Sequence, residues 1–419
     1  MRISILTLGC KTNQGESFSI EGNLKRAGNE IVDISDNPDL CIINTCTVTA
    51  KADRQSRQLI YRALRNSAKV IVTGCYSELN SGEIKSLGTT IDIIKNSDKE
   101  TVISKLITCN TGDLCIDNQY PRHRPIVKVQ DGCNYSCSYC AIQKARGKSR
   151  SESCNEIINK INEYTESGYK EVVLTGIHLG AYGLDFKFKK SLSDLLKLIL
   201  KETSMTRIRL SSLGINEIND ELINIMSDSR ICKHLHIPLQ SGDDFILKLM
   251  DRKYSTASFI NRLESITKMF PDIAIGTDVI TGFPGEGDES FLKTCRFIEA
   301  APFSYIHVFP YSTRPGTRAA SFDGQIPYFI KKHRVNILKT IGDSKKGDYL
   351  TRHLNKALEI LIENRTAEGY VGTSANYIKV LIASGFDLGE ETLVNVRVTG
   401  IRNYQALAIP LNNYQPFNI

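Results

Sequence analysis

The stretch LCIINTC, residues 40–46, is apolar through Ile43, turns polar at Asn44 and Thr45, and ends on a cysteine. A short run of this kind reads as a strand buried on both faces. Two other runs share its plan, ISILTLGC at 3–10 and VIVTGC at 70–75. Between them lie segments of helical character, 14–27 before a Gly28 stop and 50–66. Strand alternating with helix predicts an open parallel sheet. Parallel strands present their carboxyl ends along one edge, where ligands bind. Cys10, Cys46 and Cys75 stand at those ends and are expected to converge, although the sequence keeps them apart. The alternative is three buried structural cysteines, since Cys packs readily in cores. The same position at the end of each run weighs against it.

The chain has 419 residues, enough for two or three domains at about 150 residues each. Its 41% hydrophobic and 24% charged composition is globular. No apolar stretch approaches the roughly 18 residues of a membrane span. The first ten residues carry one basic side chain and an apolar run broken by Thr7 and Gly9, which reads as a strand and not as a secretory signal. A cytoplasmic enzyme is expected, without a membrane partner. Twelve cysteines in such a chain point to metal binding or catalysis and not to a disulfide framework. The net charge of +7 permits nucleic-acid binding without requiring it.

Pro121 and Pro125 mark a linker. Six further β-like runs follow, at 126–130, 171–175, 207–211, 234–240, 273–280 and 305–311. Amphipathic helical segments such as 153–167 and 191–203 lie between most of them. That rhythm predicts successive βα units and a barrel or partial barrel, whose chemistry sits on the loops after the strands. The loop after the first of these strands carries CNYSCSYC, residues 133–140. Three thiols are one short of a closed tetrahedral zinc site, but they can hold a [4Fe–4S] cluster with one iron left open. Residues 327–356 read as a long polar helix. The tail from about 357 has short alternating runs, ALEILIE, YIKVLIA and LVNVRVT, which predict a small all-β module.

CNYSCSYC resembles the CxxxCxxC motif of radical S-adenosylmethionine (SAM) enzymes, with Tyr139 as the aromatic residue before the last thiol. The chain as a whole is similar to the methylthiotransferases of that superfamily. The segments that carry the resemblance include NTCTVTAKAD (44–53), TGCYSE (73–78), DGCNYSCSYCAIQKARGKSRS (131–151) and LTGIHLGAYG (174–183). HIPLQSGDDFILKLMDRKY (236–254), TDVITGFPGE (277–286) and FPYSTRPGT (309–317) complete them. The resemblance implies an α/β protein of three parts: an N-terminal open parallel α/β sheet domain (1–115), a central partial (β/α)6 radical SAM barrel (116–352) and a small C-terminal all-β TRAM-like module (353–419). It implies two [4Fe–4S] clusters, an auxiliary one on Cys10, Cys46 and Cys75 and one on Cys133, Cys137 and Cys140 that binds and cleaves SAM. The resulting radical would take hydrogen from adenine C2, a position with no useful acidity, and a methylthio group would replace it.

Within the family the motifs most resemble the branch acting on N6-threonylcarbamoyladenosine at tRNA position 37, next to the anticodon. Sibling branches act on isopentenyl-adenosine in tRNA or on a ribosomal protein aspartate. The implied partners are a tRNA anticodon stem-loop, an electron donor such as flavodoxin or ferredoxin, and a sulfur source. A non-catalytic metal-binding RNA adaptor would need no SAM-contacting segments.

The resemblance offers Thr175, Gly176, His178, Gln240 and Ser241 as SAM contacts; the alternatives are a glycine turn with a packed histidine for the first three and strand-end hydrogen bonding for the last two. Asp278, a carboxylate inside an apolar run, needs a polar cavity or a partner. KARGKSR sets Lys144, Arg146, Lys148 and Arg150 behind the cysteine loop, where they could hold tRNA phosphates or form a solvated charge run. Lys51, Arg54 and Arg57 make a second basic stripe with the same two readings. Residues 353–419 hold five Lys and Arg against six Asp and Glu, a net of −1, unlike a typical nucleic-acid module. Cys41, Cys109, Cys115, Cys154, Cys232 and Cys295 are expected to be structural.

Overall fold

The computed structural model describes residues 1–99 and 123–411. The expected boundary between residues 115 and 116, Pro121 of the expected linker, and Cys109 and Cys115 lie outside the described residues. The first sheet contains β1 (Arg2–Thr7), β2 (Glu30–Ile31), β3 (Leu40–Thr45), β4 (Lys69–Gly74) and β5 (Ile91–Ile93). Its order is β2-β1-β3-β4-β5 and every pairing is parallel. All six residues of the central β3 are buried, as a strand covered on both faces requires. Helix α1 (Lys11–Arg26) covers one face with Ile20 and Leu24. Helix α2 (Ala50–Asn66) covers the other with Ile60 and Ala63, packed on Cys41, Ile43, Val70 and Val72. Thr49 caps α2 by accepting from the Ala52 N–H at 3.1 Å. Helix α1 starts three residues before the expected 14. Cys10 is its N-cap residue, and the first turn buries polar Thr12 and Asn13, which apolar periodicity cannot register.

The next strands are β6 (Ile126–Asp131), β7 (Arg150–Ser151), β8 (Glu171–Gly176), β9 (Arg207–Leu210), β10 (His234–His236), β11 (Ala274–Thr281) and β12 (Tyr305–Pro310). They pair as β7-β6-β8-β9 and β10-β11-β12. Parallel bridges Ile208–Ile231 and Ser212–His236 join the two groups. Six parallel strands thus follow one another in a single curved wall, and β7 adds an antiparallel edge beside β6. Its outer helices include Cys154–Glu166 and Leu192–Glu202, each opened by a capping box, from Ser153 with Glu156 and from Ser191 with Asp194. The fourth strand stops at His236 and does not reach 240. Pro238 has no N–H to give, and Gln240 sits at φ 69 before a bridge to Val279 resumes the ladder. Phe18 of α1 joins the barrel core, so the two units share apolar packing. Cys154 and Cys295 are buried in that core and Cys232 is buried as well, in the structural role expected of them.

The helix Tyr328–Thr351 leads to β13 (Ala357–Thr366), β14 (Gly369–Ser374), β15 (Lys379–Ala383), β16 (Leu393–Arg402) and β17 (Gln405–Pro410). These close into a barrel in the order β13-β14-β15-β17-β16. The pattern predicts only three of them. GYVGTS is diluted by two glycines, and QALAIP is short and ends in proline. Several cations of this barrel are already paired, Lys356 with Asp272 at 2.7 Å, Lys379 with Glu363 at 2.5 Å and Arg402 with Glu368. The barrel docks through Arg209 of β9, which is fully buried. Its guanidinium donates to the carbonyls of Ser374 and Ala375 at 3.0 Å.

Candidate functional site

Cys10, Cys46 and Cys75 follow β1, β3 and β4 at the same edge of the first sheet. They meet because those strands are neighbours in register, Thr7 opposite Asn44 and Thr45 opposite Gly74. A Cβ on Gly9 would lie 2.9 Å from the Cys46 Cβ, so the chain just before Cys10 is pressed against Cys46. The Asn13 Oδ1 accepts from the Cys10 thiol at 3.7 Å and from the Arg146 Nη2 at 2.5 Å. The Arg146 Nε donates to the Cys75 Sγ at 3.2 Å. Cys10 is exposed, whereas Cys46 and Cys75 are buried. Burial pushes the Cys46 thiol up to about 12, and the other two thiols push the same way. Burial also raises Cys75, against the pull of Arg146 and Lys99.

Metal coordination would take the protons from such thiols outright, and the surroundings suit that outcome. Arg146 and Lys99, both buried, share the single carboxylate of Glu16 beside Cys75. Asp131 is divided between Arg146 and the half-exposed Arg150. Positive charge is therefore held at a place where thiolates on a cluster would be negative. The first residues of α1 add the positive end of a helix dipole at Cys10.

Cys133, Cys137 and Cys140 occupy the loop between β6 and the helix Ile142–Arg146. The Tyr135 N–H donates to the Cys133 Sγ at 3.4 Å, and the Arg252 Nη1 donates to the Cys137 Sγ at 3.6 Å. The His178 Nδ1 lies 3.9 Å from the Cys133 Sγ. Burial drives Cys140 up to about 12, reinforced by the two neighbouring thiols. Burial pulls His178 down, but its bonds to Cys133 and Glu217 outweigh this and hold it up to about 9. Gln130, which carries no motif signal, organises this loop. Its amide donates to the carbonyls of Asp131 and Gly132 and to Ser149, and accepts from the His178 N–H at 2.8 Å.

Two clefts of about 720 and 790 Å³ open beside these thiols and share Tyr139, Cys140, Ile142 and Gln240 in their walls. One is walled by Cys133, Cys137, His178, Glu217 and Arg252. The other runs between Thr47–Thr49, directly after Cys46, and Asp278, Ile280, Phe309 and Tyr311 of the barrel. Arg314 pins this second wall. Its Nη1 donates to Asp53 at 2.6 Å and to the Thr47 carbonyl at 3.2 Å. Ser312 accepts from the Ala50 N–H at 3.0 Å. Both partners of this latch lie more than 260 residues apart in sequence, so no local pattern announces it.

The remaining expected residues divide. Gly176 approaches the Gln130 side chain so closely that a Cβ would lie 2.8 Å from its Oε1. Gln240 and Asp278 line the cleft. Asp278 lies opposite His307 in the strand register and bonds to His236 at 3.0 Å and His307 at 3.3 Å. Burial raises its carboxyl, but the two imidazoles more than reverse this and hold it well below the usual carboxylate range. The ligand atoms of these three lie within 4.8 Å of one another, close enough to share a divalent cation. Thr175 is buried on the β8 face that carries Val173 and lines neither cleft. Ser241 lies outside the residues that line the two clefts. It is buried against the helix Asp288–Ala300, bonded to Thr294 at 3.3 Å and to the Asp243 N–H, and does not face the cleft.

Arg146 differs from the other three basic residues of KARGKSR. It is buried among Glu16, Asp131, Asn13 and Cys75, whereas Lys144, Lys148 and Arg150 are exposed. In the second stripe Lys51 and Arg54 are exposed, while Arg57 is engaged by Tyr76 and Glu83 at 3.0 and 3.1 Å.

Six parallel strands with a CxxxCxxC loop after the first define a radical SAM enzyme, and residues 127–298 match the radical SAM superfamily. Residues 2–95 match the uncharacterized protein family UPF0004. The chain is 37% identical over 414 residues to the threonylcarbamoyladenosine tRNA methylthiotransferase MtaB of Bacillus subtilis (strain 168), covering 92% of this chain and 91% of that one. It is 30% identical to the tRNA-2-methylthio-N(6)-dimethylallyladenosine synthase of Aquifex aeolicus (strain VF5), covering 88% and 89%. The chain belongs to the methylthiotransferase family of radical SAM enzymes. The radical SAM methyltransferase TsrM of Kitasatospora setae shares the fold, with a TM-score of 0.57 at 13% identity over 76% of this chain and 77% of that one. Among the described residues no helix is long and apolar enough to cross a membrane.

Proposed function

We propose that this protein converts N6-threonylcarbamoyladenosine, at position 37 beside the tRNA anticodon, into its 2-methylthio derivative. The observation that supports this reading is the pair of adjoining clefts. One contains the Cys133, Cys137 and Cys140 loop, and the other reaches from Cys140 to the residues after Cys46. In this reading each trio holds a [4Fe–4S] cluster. When bound, the cluster on the loop supplies the electron that splits SAM, and so opens a radical route to a carbon that no general base could deprotonate.

The chain's own residues position and enclose. Gln130 fixes the loop, Gly176 leaves room for the Gln130 side chain, and His178 stands in the neighbouring wall. Gln240 and Asp278 supply polar groups to the chamber that receives SAM and the adenosine. Thr175 supports that wall from the interior face of β8. The Arg314–Asp53 latch ties the two walls of the second cleft together. Exposed Lys144, Lys148, Arg150, Lys51 and Arg54 are the cations that would meet tRNA phosphates in this reading. The division into 1–115, 116–352 and 353–419 belongs to the same reading, as do a flavodoxin- or ferredoxin-type reductant and a separate sulfur source.

Nucleoside mass spectrometry of tRNA from a strain lacking the gene tests the substrate. Loss of 2-methylthio-N6-threonylcarbamoyladenosine with accumulation of its precursor is expected. Loss of the isopentenyl counterpart, or of the methylthio group on a ribosomal protein aspartate, would instead select a sibling activity.

The approach of β4 to β3 gives a second expectation. Gly74 has φ 101, and a Cβ there would lie 2.3 Å from the Thr45 carbonyl oxygen. Gly74→Ala is expected to cost more than about 1 kcal/mol and to displace Cys75. Thermal unfolding and iron content after reconstitution would both fall. An unchanged iron content would separate the backbone strain from the ligand position.

A further inference from the structure

Every N–H of the Arg146 guanidinium is used. The Nε donates to the Cys75 Sγ at 3.2 Å, the Nη1 to Glu16 at 2.7 Å and Asp131 at 2.9 Å, and the Nη2 to Asn13 at 2.5 Å and Glu16 at 3.2 Å. Five donors in a fixed planar fork are thus spent on four residues. They come from both halves of the site. Cys75 belongs to the first trio, and Asn13 accepts from the Cys10 thiol. Asp131 lies two residues before Cys133, and Arg146 itself ends the helix that begins two residues after Cys140. The surrounding charges do not cancel on their own. Lys99 also reaches Glu16, at 2.7 Å, and Arg150 takes the other oxygen of Asp131. A guanidinium this deeply buried is not needed to neutralise Glu16, which Lys99 already pairs. Its Nε points at a sulfur.

We propose that Arg146 is a positioning residue for the auxiliary cluster. Its N–H···S bond to Cys75 and its buried charge raise that cluster's reduction potential and hold it at a fixed spacing from the radical centre. This inference rests on the assignment of Cys10, Cys46 and Cys75 as cluster ligands. Hydrogen bonds to ligand sulfurs and local net charge are the levers by which a protein sets the potential of an iron–sulfur centre, and the outer shell also orients the ligands. Removing the N–H donor from the sulfur makes reduction harder, so the potential must fall even where the local net charge is kept.

The test uses the full chain with Cys133, Cys137 and Cys140 replaced by alanine, so that only the auxiliary cluster is read. Arg146→Met is combined with Glu16→Gln, which removes one charge of each sign, keeps the local net charge, leaves no uncompensated carboxylate and so isolates the N–H···S bond. Arg146→Lys keeps the charge but cannot reproduce the fork. Potentials are read by redox titration followed by electron paramagnetic resonance of the reduced cluster.

For the double variant we expect at least a tenfold shift of the reduction equilibrium, 59 mV downward for a one-electron couple, together with altered g-values. Arg146→Lys should shift in the same direction by less. A double variant that loads iron fully yet keeps the parent's potential and spectrum overturns the proposal. If the double variant does not load iron, the decision falls to Arg146→Lys. A loaded Arg146→Lys with the parent's potential overturns the proposal, and a lowered one upholds it. A parent without any [4Fe–4S] signal removes the cluster assignment and this inference with it, and is recognised because the variants are then irrelevant to the result.

Discussion

Cys137→Ala is expected to abolish formation of both 5′-deoxyadenosine and the methylthio product while the auxiliary trio still loads iron. Cys137 sits at the centre of the 133–140 loop, and its sulfur is the one that Arg252 touches. Two remaining thiols would not hold the cluster whose open iron must bind SAM. The fall should therefore exceed the roughly 10–100-fold penalty typical of an outer-shell partner. Arg252→Met supplies that comparison within the same protein. It leaves three thiols but deprives Cys137 of its donor, and it should lose activity within the 10–100-fold range. Chromatographic assay of 5′-deoxyadenosine under strong reductant, with iron measured per chain, distinguishes the two. Cys137→Ala should retain about half of the iron. SAM cleavage that survived in Cys137→Ala would mean that the electron comes from elsewhere.

The second large effect concerns stability. Glu171 and Arg209 are both fully buried and joined by two bonds, of 2.6 and 3.1 Å. Arg207 and Arg124 stand 3.5 and 3.8 Å from the same carboxylate. Burial raises the Glu171 carboxyl, but the arginines outweigh it and hold it below its ordinary value. Breaking a buried pair by removing one partner costs about 3–5 kcal/mol. The two halves of this pair are not equivalent. Arg209→Met leaves Glu171 with two cations nearby, whereas Glu171→Gln leaves three arginines around a neutral group. Glu171→Gln is expected to be the more damaging.

Arg209 also holds the carbonyls of Ser374 and Ala375 and stacks on Tyr377, 5.2 Å from its ring. Either substitution should therefore loosen the C-terminal barrel first, which limited proteolysis and thermal unfolding would register. Because the carboxyl titrates lower in the folded protein, its contribution is present above the ordinary carboxylate pKa and is lost as pH falls through the depressed one. Glu171→Gln should show less loss of stability on acidification than the parent does.

The exposed basic residues illustrate how far local pattern reaches. KARGKSR places four cations within seven residues, and the sequence offers no way to sort them. Lys144, Lys148 and Arg150 are exposed, but Arg146 is buried. Its partner Glu16 lies 130 residues earlier. A buried charge is tolerated only where distant groups satisfy it, and periodicity carries no information about distant groups. Ser241 shows the same limit. The sequence places it at a strand end, but the helix Asp288–Ala300 supplies Thr294 and turns it away from the cleft.

What the sequence determined by itself was everything set by short-range geometry. Apolar runs with no alternation fix buried parallel strands, their spacing fixes the βα order, and the cysteine after each strand inherits its place at the sheet edge from topology alone. CNYSCSYC likewise needs only eight consecutive residues to bring three thiols together. Tertiary structure alone decided which polar groups surround those thiols. The Arg146 fork, the Arg314–Asp53 latch, the His236–Asp278–His307 cluster and the Arg209 clamp each unite segments far apart in the chain. Backbone regularity follows from local sterics and hydrogen bonding, whereas the pairing of buried charge follows from which surfaces finally meet.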